Sequence, residues 1–85
     1  MLPTRFADSD LRFIFNVLPI CRTLTEASLL LRTGCPRLSR AARFGLWDGW
    51  SGRPESETFA LVRDYRHAYM VGSQRAKRRL RLFGD

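Results

Sequence analysis

The sequence predicts an all-α fold: a small bundle of about four helices whose C-terminal part is a glycine-packed helical hairpin. Three observations carry this. Apolar residues recur at i, i+3, i+4 and i+7, as in Leu11, Ile14, Phe15 and Leu18, which is the period of a helix with one buried face. Helix-starting residues stand just ahead of the apolar runs, notably Thr23 with Glu26, and Ser39. Small residues fall at four-residue spacing within 41–76: Gly45 with Gly49, and Ala68 with Gly72 and Ala76. Residues four apart share a helix face. A glycine inside a helix costs about 1 kcal/mol relative to alanine. Gly45, Gly49, Gly52 and Gly72, with Ala68, therefore point to a geometric need, the close approach of two helices.

The elements follow in order. Asp8, Ser9 or Asp10 is expected to cap a first helix over about 9–18. Leu11, Phe13, Phe15 and Val17 also alternate as a strand would, but the helical spacing is preferred, and Pro19 ends the segment. Thr23 and Glu26 form a capping-box pattern that opens the second helix, with Gly34 as its C-terminal cap before Pro36. This helix is expected to cover the core with Leu24, Leu29, Leu30 and Leu31. Ser39 opens the third helix, roughly 39–51, and Gly52 ends it. Arg53–Pro54 makes a turn, and a fourth helix is expected over about 55–81, with Pro54 suited to its first turn and Glu55 and Glu57 to its dipole. The organisation is thus an N-terminal helical extension, 1–38, and a hairpin with a basic tail, 39–85, within one domain of 85 residues.

The formal net charge is +7, and of the fifteen basic residues only Lys77 is lysine. Residues 1–34 carry a net +1 and residues 35–85 a net +6. Such a balance favours a polyanionic partner, with nucleic acid first. Arginine suits phosphates and stacked bases better than lysine does. The candidate RNA-binding residues are Arg37, Arg40, Arg43, Arg53, Arg63, Arg66, Arg75, Lys77, Arg78, Arg79 and Arg81. Trp47, Trp50, Tyr65 and Tyr69 are read first as core, with base stacking as the competing role.

Other chemistry is sparse. His67 is the only histidine, and Cys21 and Cys35, fourteen apart, have no zinc spacing. Two free thiols in a cytoplasmic protein are favoured over a disulfide. No catalytic constellation, phosphate-cradling loop, cofactor motif, signal peptide or membrane span is read from the chain. The expectation is a non-enzymatic cytoplasmic protein.

Within 41–72 the series Ala41, Gly45, Gly49, Gly52-Arg53, Arg66, Tyr69 and Gly72 resembles the ribosome modulation factor family. The resemblance spans roughly 32 of the 85 residues. It implies two helices joined by a linker. It also implies binding to the small ribosomal subunit near the messenger exit region, blocked pairing with messenger leaders, and inactive ribosome dimers in slow growth. Arg53 and Arg66 match the family's basic positions, and Gly45, Gly49, Gly52 and Gly72 its helix-contact positions. The chain departs from the family in its acidic Pro54–Glu57 linker, where typical members carry Cys-Pro-Tyr, and in about 38 residues ahead of the match. A second function class is a phage- or plasmid-type inhibitor or adaptor of a nucleic-acid-processing complex. Phe13, Ile14, Phe15, Leu29, Leu30 and Leu31 would then form a protein interface or a homodimer seam within residues 11–31.

Overall fold

The computed structural model describes residues 6–83, with side chains to residue 79. Its elements are α1 (Asp8–Val17), a 3-10 turn (Leu18–Ile20), α2 (Leu24–Gly34), α3 (Arg40–Trp50) and α4 (Arg63–Phe83). The chain is a small all-α bundle, with no strand among the described residues.

The helical spacing of α1 prevails over its alternation: Ile14, Val17 and Leu18 are buried. The expected cap does not form. Ala7 occupies the N-cap without a side-chain bond, and Asp8 and Asp10 lie inside the first turn. There their charge still complements the positive helix pole. Pro19 falls in the first turn of the 3-10 segment, which closes α1.

Thr23 caps α2 as expected, accepting a bond from the Glu26 N–H at 3.1 Å. The Glu26 carboxylate accepts in return from the Arg22 N–H, at 2.7 Å, one residue ahead of the usual capping-box partner. Ala27 and Leu31 are buried, whereas Leu29 is 61% and Leu30 39% exposed. The expectation that both leucines cover the core is therefore corrected: four residues from Ala27 along a helix leads to Leu31, and Leu29 and Leu30 fall off that face. Gly34 is not a left-handed cap either, since Gly52 is the only positive-φ glycine among the described residues. Cys35 closes α2 instead, and Gly34 leaves room for the Phe13 ring against the helix end.

Ser39 caps α3, accepting from the Ala42 N–H at 3.1 Å. Cys35 to Ser39 turn the chain so that α3 runs back along α2, and Arg43 of α3 meets Ser28 of α2. These two helices are the antiparallel hairpin of the fold.

The helices α3 and α4 pack through glycine, as expected, but they run in the same direction. Ser39 ahead of α3 donates to the Asp64 carboxylate at the start of α4, at 3.0 Å. Gly45 faces Tyr65, Ala68 and Tyr69, and Gly49 faces Tyr69 and Ser73. Trp50, the last residue of α3, meets Arg79. The expected α3–α4 hairpin is thus corrected to a parallel pair. A Cβ at Gly72 would lie 2.6 Å from the Leu46 carbonyl oxygen. At Gly45 and Gly49 it would press on the carbonyl oxygens of Tyr65 and Tyr69. Gly52 has no such role. Its φ is +76° and nothing lies within 4 Å of where a Cβ would stand, so it serves as the left-handed turn after α3.

A parallel pair requires the chain to return the length of α3, ~16 Å for eleven residues, before α4 can start. Residues 51–62 do this, which is why no helix begins at residue 55. The Ser56 N–H donates to the Tyr65 hydroxyl at 2.7 Å, and that hydroxyl donates to the buried Asp48 carboxylate at 2.7 Å. The Tyr69 hydroxyl donates to the Arg53 carbonyl. Phe59 lies edge-on to Phe44, 5.3 Å between centroids, and stacks on Tyr65 at 5.8 Å. Leu61, expected on a helical stripe, is 95% exposed on this crossover. Residues from all four helices share one core: Ile14, Ala27, Leu31, Ala42, Leu46 and Ala68 belong to a single cluster. Cys21 and Cys35 are free thiols.

Two outcomes test this packing. Gly49→Ala should lower the stability measured by urea denaturation by about 3 kcal/mol, because the added methyl meets backbone. Gly52→Ala should cost about 1–2 kcal/mol, the strain of a left-handed alanine. Equal effects at both positions would contradict the close α3–α4 contact. Burial, and then the bond to Asp48, push the Tyr65 hydroxyl from 10.0 up to about 12. The folded value exceeds the unfolded one, so this contribution is full below about pH 10 and is lost as pH rises toward 12. Urea midpoints measured across that window should fall, and Tyr65→Phe should remove that part of the fall.

Candidate nucleic-acid interface

The basic residues separate into three groups once the helices are placed. On α4, Arg63, Arg66, Met70, Gln74 and Lys77 are all exposed. Their spacing of three and four puts them on one outer face, opposite Gly72 and Ala68. They line an open groove of about 660 Å³ with Glu55, Leu61 and Tyr69 at its side. Arg78 is exposed beside this stripe. Arg81 belongs to α4 by its backbone, but its side chain lies outside the described residues.

The second group sits where the far end of α4 passes α1 and the end of α3. The Arg75 guanidinium carbon is 5.0 Å from the Phe15 ring centroid, and that of Arg79 is 5.4 Å from the Trp50 ring centroid. Phe15 and Trp50 are themselves 5.8 Å apart with a 45° tilt. Both rings are partly buried against the core. Residues 75–79 therefore do not present one charged face. Arg75 and Arg79 turn toward the aromatics, and Lys77 turns to the outer stripe.

The third group lies in the cleft between α2 and α3. Arg40 is exposed, with its guanidinium 5.3 Å over the Phe44 ring. Arg43 is half-buried and committed to the protein. Its Nε donates to Ser28 Oγ at 3.1 Å and its Nη1 to the Leu38 carbonyl at 3.0 Å. Burial first, and then the neighbouring charges of Arg32 and Arg40, hold the Arg43 guanidinium below its ordinary value. Arg43, expected to bind RNA, is thus a strut between α2 and α3. Arg32 was not among the expected site residues, yet it stands with Arg40 in this cleft. Its signal was weak, since residues 1–34 carry so little net charge. Arg37, on the α2–α3 connection, and Arg53, on the crossover, are exposed, and neither lines the α4 groove.

Among the aromatics, Tyr65 is fully buried and Trp47 8% exposed, which makes them core. Trp50 and Tyr69 are half-buried. His67 stacks on Phe6, 5.5 Å between ring centroids and 8° between planes. Burial pushes both thiols up, helped by Glu26 at Cys21 and by Asp10 at Cys35. Raised thiols are poor nucleophiles at neutral pH. Among the described residues no cluster of three or more His, Cys, Asp or Glu could hold a metal ion, and no helix is long and apolar enough to cross a membrane. What the arrangement offers chemically is exposed guanidinium and ammonium groups on a rigid helix, a surface suited to phosphate.

Compared with known proteins, the chain has no significant match to any family model, curated protein or solved structure.

The two kinds of arginine should separate by stability. Arg43→Ala should cost about 1–3 kcal/mol in urea denaturation, because two bonds of a charged group are lost. Arg66→Ala, on the exposed stripe, should stay within about 0.5 kcal/mol. A large loss at Arg66 would mean that the stripe is structural.

Proposed function

We propose that this chain is a non-catalytic RNA-binding protein that acts on the small ribosomal subunit and represses translation, as the ribosome modulation factor family does. The observation that carries this is the outer face of α4, where Arg63, Arg66 and Lys77 line one groove and are exposed to solvent. Cations on one exposed helix face can meet backbone phosphates, which supply much of the affinity for structured RNA. Arg53 and Arg66, the positions that match the family's basic residues, are both exposed. The acidic Pro54–Glu57 segment lies on the crossover beside this face, and Glu55 borders the groove. It would restrict binding to RNA surfaces that leave the crossover uncovered.

A second reading is a protein-binding adaptor or inhibitor. One observation favours it: Leu29, 61% exposed, beside Arg32 and Arg40 in the α2–α3 cleft. The wider apolar seam supports it less, because Ile14 and Leu31 are fully buried and Phe13 and Phe15 are packed against the core.

Sedimentation through a sucrose gradient at low salt should place the protein with small subunits or ribosome dimers from slow-growing cells. Migration at the top of the gradient would refute the ribosomal assignment. For isolated ribosomal RNA, the affinity should fall steeply with salt. Changing Arg63, Arg66 and Lys77 together to glutamine should reduce the log–log slope by roughly 2–3, at about 0.7–0.9 per phosphate contact. If that triple change leaves binding intact while Leu29→Asp abolishes function, the adaptor reading replaces this one.

A further inference from the structure

We propose that Phe15, Trp50, Arg75 and Arg79 form a stacking subsite for two successive unpaired bases, with preference for purines; this rests on the RNA-binding reading above. The four side chains make a continuous series. Arg75 lies 5.0 Å from the centre of Phe15, Phe15 lies 5.8 Å from Trp50, and Arg79 lies 5.4 Å from the centre of Trp50. Each ring is anchored on its inner side by the core. Each guanidinium is exposed.

The use of these arginines differs from that of Arg43. Arg43 spends its donors on Ser28 and Leu38. Arg75 and Arg79 form no hydrogen bond or ion pair with another described residue. Their guanidinium carbons lie over rings, and their N–H groups remain available. A guanidinium lying on a ring keeps a second face on which a base can stack, while its edge meets a phosphate or a base acceptor pair. Residues four apart on a helix are about 5–6 Å apart, a spacing that matches successive bases in an extended strand. Simple phosphate contact would need no aromatic partner, and Lys77 and Arg78 already supply it on the adjacent surface. Bases inside an A-form duplex are not open to stacking from the side, so the subsite selects unpaired RNA. Purines, with the larger π surface, gain most.

This subsite also gives α1 a role beyond packing. Phe15 comes from the region ahead of the resemblance to the ribosome factor, and it completes a site whose other members lie on α3 and α4.

The test uses the full chain with six-residue oligo(A), oligo(U) and inorganic polyphosphate at one salt concentration, read by fluorescence anisotropy and tryptophan emission. Oligo(A) should bind tighter than oligo(U), because the larger purine surface stacks more strongly on ring and guanidinium faces, and should quench tryptophan emission. Polyphosphate should bind without quenching. Arg75→Lys with Arg79→Lys keeps the charge and loses the planar stack, so it should abolish the preference for oligo(A) and leave the salt slope unchanged. Equal affinity for the two oligonucleotides, or a preference that survives the double lysine change, overturns the subsite and leaves RNA binding standing. Absence of binding to either oligonucleotide at low salt overturns both.

Discussion

The contact of α3 with α4 at Gly45, Gly49 and Gly72 sets the position of everything else. Without side chains at these points, the carbonyl oxygens of Tyr65, Tyr69 and Leu46 come within contact of the opposite backbone. That closeness leaves no space for a residue larger than glycine at the seam. It also brings like poles of two helix dipoles together, because the pair runs parallel. Each pole is equivalent to roughly half an elementary charge. The sequence offsets both ends. Asp64 sits at the joint N-terminal end, bonded to Ser39. Arg75, Lys77, Arg78 and Arg79 lie beyond the end of α3, and Arg79 covers Trp50. Part of the basic charge on α4 thus stabilises the parallel arrangement, independently of any partner.

The same constraint explains the buried carboxylate. Asp48, 7% exposed, is the one buried charged residue among those described. Burying such a group is costly unless its oxygens are satisfied. Tyr65 satisfies it from α4 and at the same time accepts the Ser56 N–H of the crossover. One hydroxyl therefore joins α3, the crossover and α4. The Tyr69 bond to the Arg53 carbonyl holds the crossover at a second point. These two tyrosines make the return path of the chain definite, although it has little regular structure of its own.

Much of the fold was legible from local chemistry. Thr23 with Glu26, and Ser39, mark helix starts through side-chain oxygens that accept backbone N–H groups, and both caps form. The four-residue spacing of Gly45 and Gly49 correctly signals close backbone approach. Spacing on one helix is silent about the direction of its partner, so the parallel sense was not legible. Pro54 with Glu55 and Glu57 is as suitable for a helix start as for an extended return, and only the tertiary position of α4 decides between them. The site was legible as residue types but not as roles. Arg43 and Arg66 look alike in the sequence. The first is consumed by Ser28 and Leu38 and the second is exposed, a difference set by which helix each stands on and what packs against it.

That difference bears on how a chain with a sequence pI of about 11.0 stays folded. Fifteen basic side chains on 85 residues repel one another, and the cost grows where they converge. In the α2–α3 cleft, burial first and then the charges of Arg32 and Arg40 disfavour the charge on Arg43. At the far end of α4 the repulsion is met differently, by laying Arg75 and Arg79 on rings. A ring face attracts a cation without neutralising it. Charge held this way remains available to an incoming anion, whereas charge paired with a carboxylate would have to be released first. The placement of Phe15 and Trp50 therefore serves stability in the free protein and leaves the charge of two guanidinium groups unspent.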